Sequence, residues 1–181
     1  MKSRIFSVLA LCLLISTTGF AQNKKAVNLD EQIKLNGKVR TGKLANGLTY
    51  YVRANNKPAN RAEFQIAVNA GSVLEEANEV GLAHFTEHMG FNGTKHYPGN
   101  TMIDDLEKEG IVFGREINAY TGFDQTVYMV TLPTDNARLF DMGLKILDGW
   151  ASGMLMTGEE IDKERGVIIE EWRVSEGGSE R

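Results

Sequence analysis

The chain is 181 residues long, 42% hydrophobic and 24% charged, with a formal net charge of −4. That length supports one sizeable core. The acidic balance argues against a nucleic-acid binder, whose surface concentrates Lys and Arg, and the single cysteine excludes a disulfide framework.

Lys2 and Arg4 precede an apolar run from Ile5 to Ile15, and small and polar residues then lead to Ala21. This pattern predicts a secretory signal peptide over residues 1–21, cut after Ala21, and so a secreted or periplasmic product. The run is too short to cross a bilayer, and no later stretch suggests a membrane span. Cleavage removes the only cysteine, Cys12, together with Lys2 and Arg4, so the net charge moves from −4 to −6. The remainder therefore offers no thiolate, only His and carboxylate, as metal-ligating side chains.

Residues 22–40 are polar and mixed and read as a lead-in segment. Asn46-Gly47, between Lys43-Leu44 and Leu48-Thr49-Tyr50-Tyr51-Val52, is a hairpin signal. Asn55 to Asn60 contains Pro58 and reads as a loop. Apolar Phe64, Ile66 and Val68 alternate with Gln65, Ala67 and Asn69, predicting a strand over Ala62 to Val73. An acidic stretch from Glu75 to Val80 approaches a helix over about Gly81 to Gly90. Turns follow at Asn92-Gly93-Thr94 and Tyr97-Pro98-Gly99, then a short amphipathic helix, Thr101 to Glu109, stopped by Gly110. Glu116 to Thr131 reads as a strand pair broken at Gly122-Phe123-Asp124. A helix over Asp135 to Met154 carries Leu139, Met142, Leu144, Ile146 and Leu147 as its apolar set. Thr157-Gly158-Glu159-Glu160 resembles a capping box opening a last helix to about Val174. Adjacent antiparallel strands with helices between them indicate an α+β fold, an antiparallel sheet flanked by helices. The abrupt end after Glu176-Gly177-Gly178 reads as the front part of a longer polypeptide.

The chemistry concentrates in His84-Phe85-Thr86-Glu87-His88, an H-x-x-E-H pattern. At about 100° per residue, Glu87 and His88 stand near 300° and 40° from His84, on one helix face. Two imidazoles can then grip one zinc ion with a carboxylate beside the open coordination position, a placement suited to activating water. A catalytic zinc needs a third protein ligand. His96, in a turn, is the weaker candidate and reads as a solvated side chain. On the last helix, Glu164 and Glu171 fall within the arc of Ile161, Val167, Ile168 and Trp172, the arc expected to face the core. Two carboxylates on a buried face are costly unless a cation compensates them.

These residues carry a resemblance. His84 to Lys95 resembles the zinc motif and following loop of the pitrilysin-like inverzincins, peptidase family M16. Ile117-Asn118-Ala119-Tyr120-Thr121 resembles the family's N-A-x-T strand, and Glu164 to Glu171 its distal glutamate helix. The resemblance covers roughly Thr41 to Val174, and the wording is similar to that of bacterial periplasmic zinc proteases. It implies that residues 41–181 are an N-terminal zinc-binding peptidase domain of the LuxS/M16 metallopeptidase-like fold, incomplete at its C-terminal end. It implies His84, His88 and Glu171 as ligands of one zinc ion, Glu87 as general base, and Glu164 as a supporting carboxylate. Asn118 and Ala119 then belong to an edge strand that holds the substrate backbone. The implied activity is that of a zinc-dependent metalloendopeptidase acting on peptides or unfolded segments, with a homologous second half or partner subunit. The alternative is a non-catalytic binding or structural subunit of a paired protease, although such subunits usually carry a degraded zinc motif. Ribosylhomocysteine lyases share the inverted motif but use a cysteine at the metal, which the mature chain lacks.

Overall fold

The computed structural model describes residues 29–179, so the predicted signal peptide and the first part of the lead-in segment lie outside the described residues. The chain divides into two compact units, residues 1–54 and 55–181. In the first, strands β1 (Val39–Lys43) and β2 (Thr49–Arg53) form the antiparallel hairpin that Asn46-Gly47 predicts. Gly47 takes the left-handed conformation, φ +93°, that the turn needs and a Cβ disfavours.

The second unit holds the sheet β3–β5–β4, antiparallel throughout: β3 (Arg61–Val68), β5 (Thr126–Pro133) and β4 (Ile117–Thr121). Directly opposed residues share a face, so register reads out the core. Phe64, Val130 and Ile117 make one row across the sheet, and Ile66, Tyr128 and Ala119 the next. On that face pack Leu139, Met142, Ile146 and Trp150 of helix α3 (Ala137–Ser152), and Met102 and Leu106 of helix α2 (Thr101–Lys108). Gly143 lets α3 lie flat on β3, since a Cβ there would meet the Phe64 ring at 2.6 Å. This is the α+β architecture expected, with helices against an antiparallel sheet.

Several boundaries move. β3 ends at Val68 rather than Val73, because the chain turns at Gly71 to dock on the β4–β5 connection. There the Ser72 and Val73 N–H groups donate to the Gly122 and Phe123 carbonyls at 3.1 and 2.9 Å. Helix α3 starts two residues late because Asn136 caps it, its side chain accepting from the Arg138 N–H. Leu144, counted in the apolar set, is 50% exposed and lies off the stripe. The last helix, α4 (Gly158–Ser179), runs five residues past Val174. Of its capping box, the Thr157 hydroxyl accepts from the Glu160 N–H at 3.4 Å.

Candidate metal centre

Helix α1 (Leu82–Met89) carries the H-x-x-E-H residues and has only eight residues, too few to persist unaided. Its surroundings hold it in place at both ends. At the N-terminus, the Glu75 carboxylate accepts from the backbone N–H groups of Gly81 and Ala83 at 2.9 and 2.8 Å. These are donors that a helix start leaves unmatched, and their hydrogen bonds hold the Glu75 carboxyl below its ordinary pKa. At the other end, the buried indole of Trp150 donates to the Gly90 carbonyl at 2.9 Å. The Tyr128 hydroxyl donates to the Thr86 carbonyl at 3.2 Å. Burial drives the Tyr128 phenol well above its usual pKa, with the Glu87 carboxylate adding to the effect. Tyr128 and Trp150 stack with centroids 5.3 Å apart, and Gly90 leaves the space that a Cβ would take from the Tyr128 ring.

On the exposed side of α1, three donor groups converge. His84 Nε2 and His88 Nε2 lie 3.1 Å apart. Glu171, from α4, brings Oε2 to 3.3 Å from His88 Nε2 and Oε1 to 3.8 Å from His84 Nε2. A tetrahedral zinc with bonds of about 2.1 Å separates its ligands by about 3.4 Å. The triad therefore suits that ion in donor type and in spacing, and it is the one group of three or more metal-ligating side chains found among the described residues.

The neighbouring contacts orient the triad. His88 Nδ1 donates to Glu164 Oε1 at 2.7 Å. A carboxylate only accepts, so the proton sits on Nδ1 and the Nε2 lone pair faces His84 and Glu171. Glu164 is buried, 8% exposed, and its second oxygen accepts from the Asn92 amide. Glu87, also 8% exposed, accepts from the Thr121 hydroxyl at 2.6 Å through Oε2. The open cleft, about 780 Å³, is lined by these side chains, by Phe91 and Phe113, and by the edge strand β4 from Asn118 to Thr121. Among the described residues, its lining includes four carboxylates and no Lys or Arg.

Helical periodicity predicts both Glu164 and Glu171 on a buried face. Only Glu164 is buried; the Glu171 side chain is 54% exposed, and Val167 and Trp172 are likewise exposed. α4 packs chiefly on α1, so its second half has little cover among the described residues. His96 is exposed and lies outside the triad, as expected, and it is paired: its Nε2 meets Asp148 Oδ2 at 2.6 Å, where Lys95 also pairs at 2.8 Å. Asn92, Thr121 and Glu75 gain roles that the sequence patterns do not assign. Asn92 and Thr121 both lie inside the quoted motifs, yet their partners come from other elements, 72 and 34 residues away.

The model of the insulinase family, peptidase family M16, matches residues 50–178. The chain is 45% identical over 136 residues to the probable zinc protease PqqL of Escherichia coli K12, covering 75% of this chain and 15% of that protein. It is 38% identical over 164 residues to the probable zinc protease PqqL of Haemophilus influenzae, covering 91% of this chain and 18% of that protein. The crystal structure of the first half of the periplasmic protease PqqL from Escherichia coli matches with a TM-score of 0.74 at 43% identity, covering 78% of this chain and 30% of that one. The chain thus spans less than a fifth of the length of these two curated relatives. No helix among the described residues is long and apolar enough to cross a membrane. With the inverted zinc motif, the N-A-x-T strand and the glutamate helix all joined at one cleft, the chain belongs to the M16 family of insulinase-type peptidases.

Proposed function

We propose that this chain is the zinc-binding part of a metalloendopeptidase that hydrolyses peptides or unfolded protein segments. The observation that carries the reading is the convergence of His84, His88 and Glu171 at ligand spacing, with Glu87 lining the same cleft. His84 Nε2, His88 Nε2 and a Glu171 carboxylate oxygen would hold one zinc ion. When bound, zinc supplies Lewis acidity, which eases deprotonation of water and polarises a carbonyl.

The chain's own residues do the rest. The Thr121 hydroxyl ties down Glu87 Oε2, so Oε1 takes the proton from the attacking water and passes it to the leaving amine nitrogen. Glu164 keeps the His88 proton on Nδ1. Asn118 and Ala119 lie on edge strand β4, where an extended peptide can be held through main-chain hydrogen bonds with weak side-chain selection. The domain spans residues 41–181, works with a homologous second half or partner subunit, and reaches the periplasm or exterior through a signal peptide over residues 1–21.

The test is Glu87→Gln in the intact protein, assayed with an unfolded protein substrate. Zinc content should stay at one ion per domain while hydrolysis is lost. Undiminished hydrolysis removes Glu87 from the role of base. Zinc-free protein lacking chelator-sensitive peptidase activity would instead support a binding subunit.

A further inference from the structure

We propose that Asn92 is a positioning residue of the metal centre: it locks Glu164, and through Glu164 it sets both the His88 imidazole and the approach of Glu171. The inference rests on the zinc reading of His84, His88 and Glu171. Glu164 stands on α4, across the cleft from α1, and divides its two oxygens between two partners. Oε1 takes the His88 Nδ1 proton, and Oε2 takes the Asn92 amide N–H.

The second bond matters because of where Glu164 lies. At 8% exposure the carboxylate has little access to bulk water, and a buried carboxylate oxygen without a donor is costly. Bound through Oε1 alone, the group could still swivel about its last torsion and carry the His88 ring with it. The Asn92 amide removes that freedom. Asn92 is itself anchored just past the end of α1, its backbone N–H donating to the Met89 carbonyl at 3.2 Å. The amide must present nitrogen rather than oxygen, because the carboxylate opposite only accepts.

Asn92, Glu164 and His88 therefore form one relay that begins and ends on the α1 segment and passes through α4. Glu171 follows Glu164 by seven residues, about two helical turns, on the same side of α4. A clamp at Glu164 thus also sets the height at which Glu171 meets the histidines. Groups that hold the far nitrogen of a metal-ligating histidine typically change metal affinity by about 10–100-fold when lost.

The experiment measures zinc affinity of the intact protein by competition with a chromogenic chelator, alongside thermal melting of the metal-free form. Asn92→Asp sets two carboxylates against each other and should weaken zinc binding by about 10–100-fold. Asn92→Leu, which removes the donor without adding charge, should weaken it in the same direction and covers the case where the aspartate variant fails to fold. The decisive arm is Asn92→Asp combined with Glu164→Gln. There the amide introduced on α4 can donate N–H to the carboxylate introduced past α1, while its carbonyl accepts from His88 Nδ1. The relay is then rebuilt with reversed polarity. Zinc binding by the double variant should be clearly tighter than that of Asn92→Asp alone, a rescue that a merely structural role for Asn92 would not produce. Wild-type zinc affinity in both single variants at Asn92, or a double variant as weak as Asn92→Asp, overturns the inference and leaves the metal centre standing. A wild-type protein that takes up no zinc overturns both.

Discussion

Replacing Trp150 by Phe probes how far the core determines helix α1. Trp150 is 3% exposed, and its indole N–H is the donor to the Gly90 carbonyl at the end of α1. Phenylalanine keeps one ring but leaves that carbonyl without its partner, at a cost of about 1–3 kcal/mol. Whole aromatic side chains in cores contribute about 3–5 kcal/mol, so the smaller ring loses roughly 1 kcal/mol more, mainly in contact with Tyr128 and Phe91. The total is about 3 kcal/mol. With a urea dependence of about 2 kcal/mol per molar, the unfolding midpoint should fall by about 1.5 M, read by far-ultraviolet circular dichroism. Tyr128→Phe is the control. It deletes a single hydroxyl bond, at 3.2 Å, to the carbonyl of exposed Thr86, and should cost only about 1 kcal/mol. If Trp150→Phe costs no more than Tyr128→Phe, the indole bond to Gly90 is not what secures this end of the helix.

Zinc should raise the melting temperature of the wild-type protein, with a stabilisation of about 2.7 kcal/mol at a hundredfold excess over Kd. His84→Ala should abolish that response and His96→Ala should preserve it, because His96 pairs with Asp148 outside the triad; a response lost in both variants would contradict the ligand assignment. Glu75 has a folded pKa below its ordinary 4.5, so its contribution is complete above that value and fades as the pH falls through the folded pKa. The melting difference between wild type and Glu75→Gln should therefore be largest near neutral pH and shrink in acid. A difference independent of pH would exclude the carboxylate as the helix cap.

Elements with a strong period or a clear stop were legible from the residues themselves. The hairpin at Asn46-Gly47, the strand pair broken at Gly122-Phe123-Asp124, and the short helix ended by Gly110 all stand where they were expected. What the residues did not reveal was set by neighbours from far along the chain. β3 stops at Val68 because a loop some fifty residues later offers carbonyls to Ser72 and Val73. The helical arc of α4 put Glu164 and Glu171 on one side, and both meet the α1 histidines, but periodicity cannot say how much of that side is covered. The hydrogen bonds from Thr121 to Glu87 and from Asn92 to Glu164 join residues whose types alone give no hint of a pairing. Leu144 shows the reverse error, an apolar residue counted inward by composition and turned outward by helix phase.

Helix α1 has eight residues, whereas an isolated helix needs about 12–15 to be even marginal in water. The spacing of His84 and His88 is therefore not a local property of the motif. It depends on contacts from outside the motif, those of Glu75, Tyr128 and Trp150 among them. On the zinc reading of the triad, folding and metal binding share one free-energy balance. A core substitution that never approaches the cleft should register as weakened metal affinity, and saturating metal should mask part of its damage to the fold.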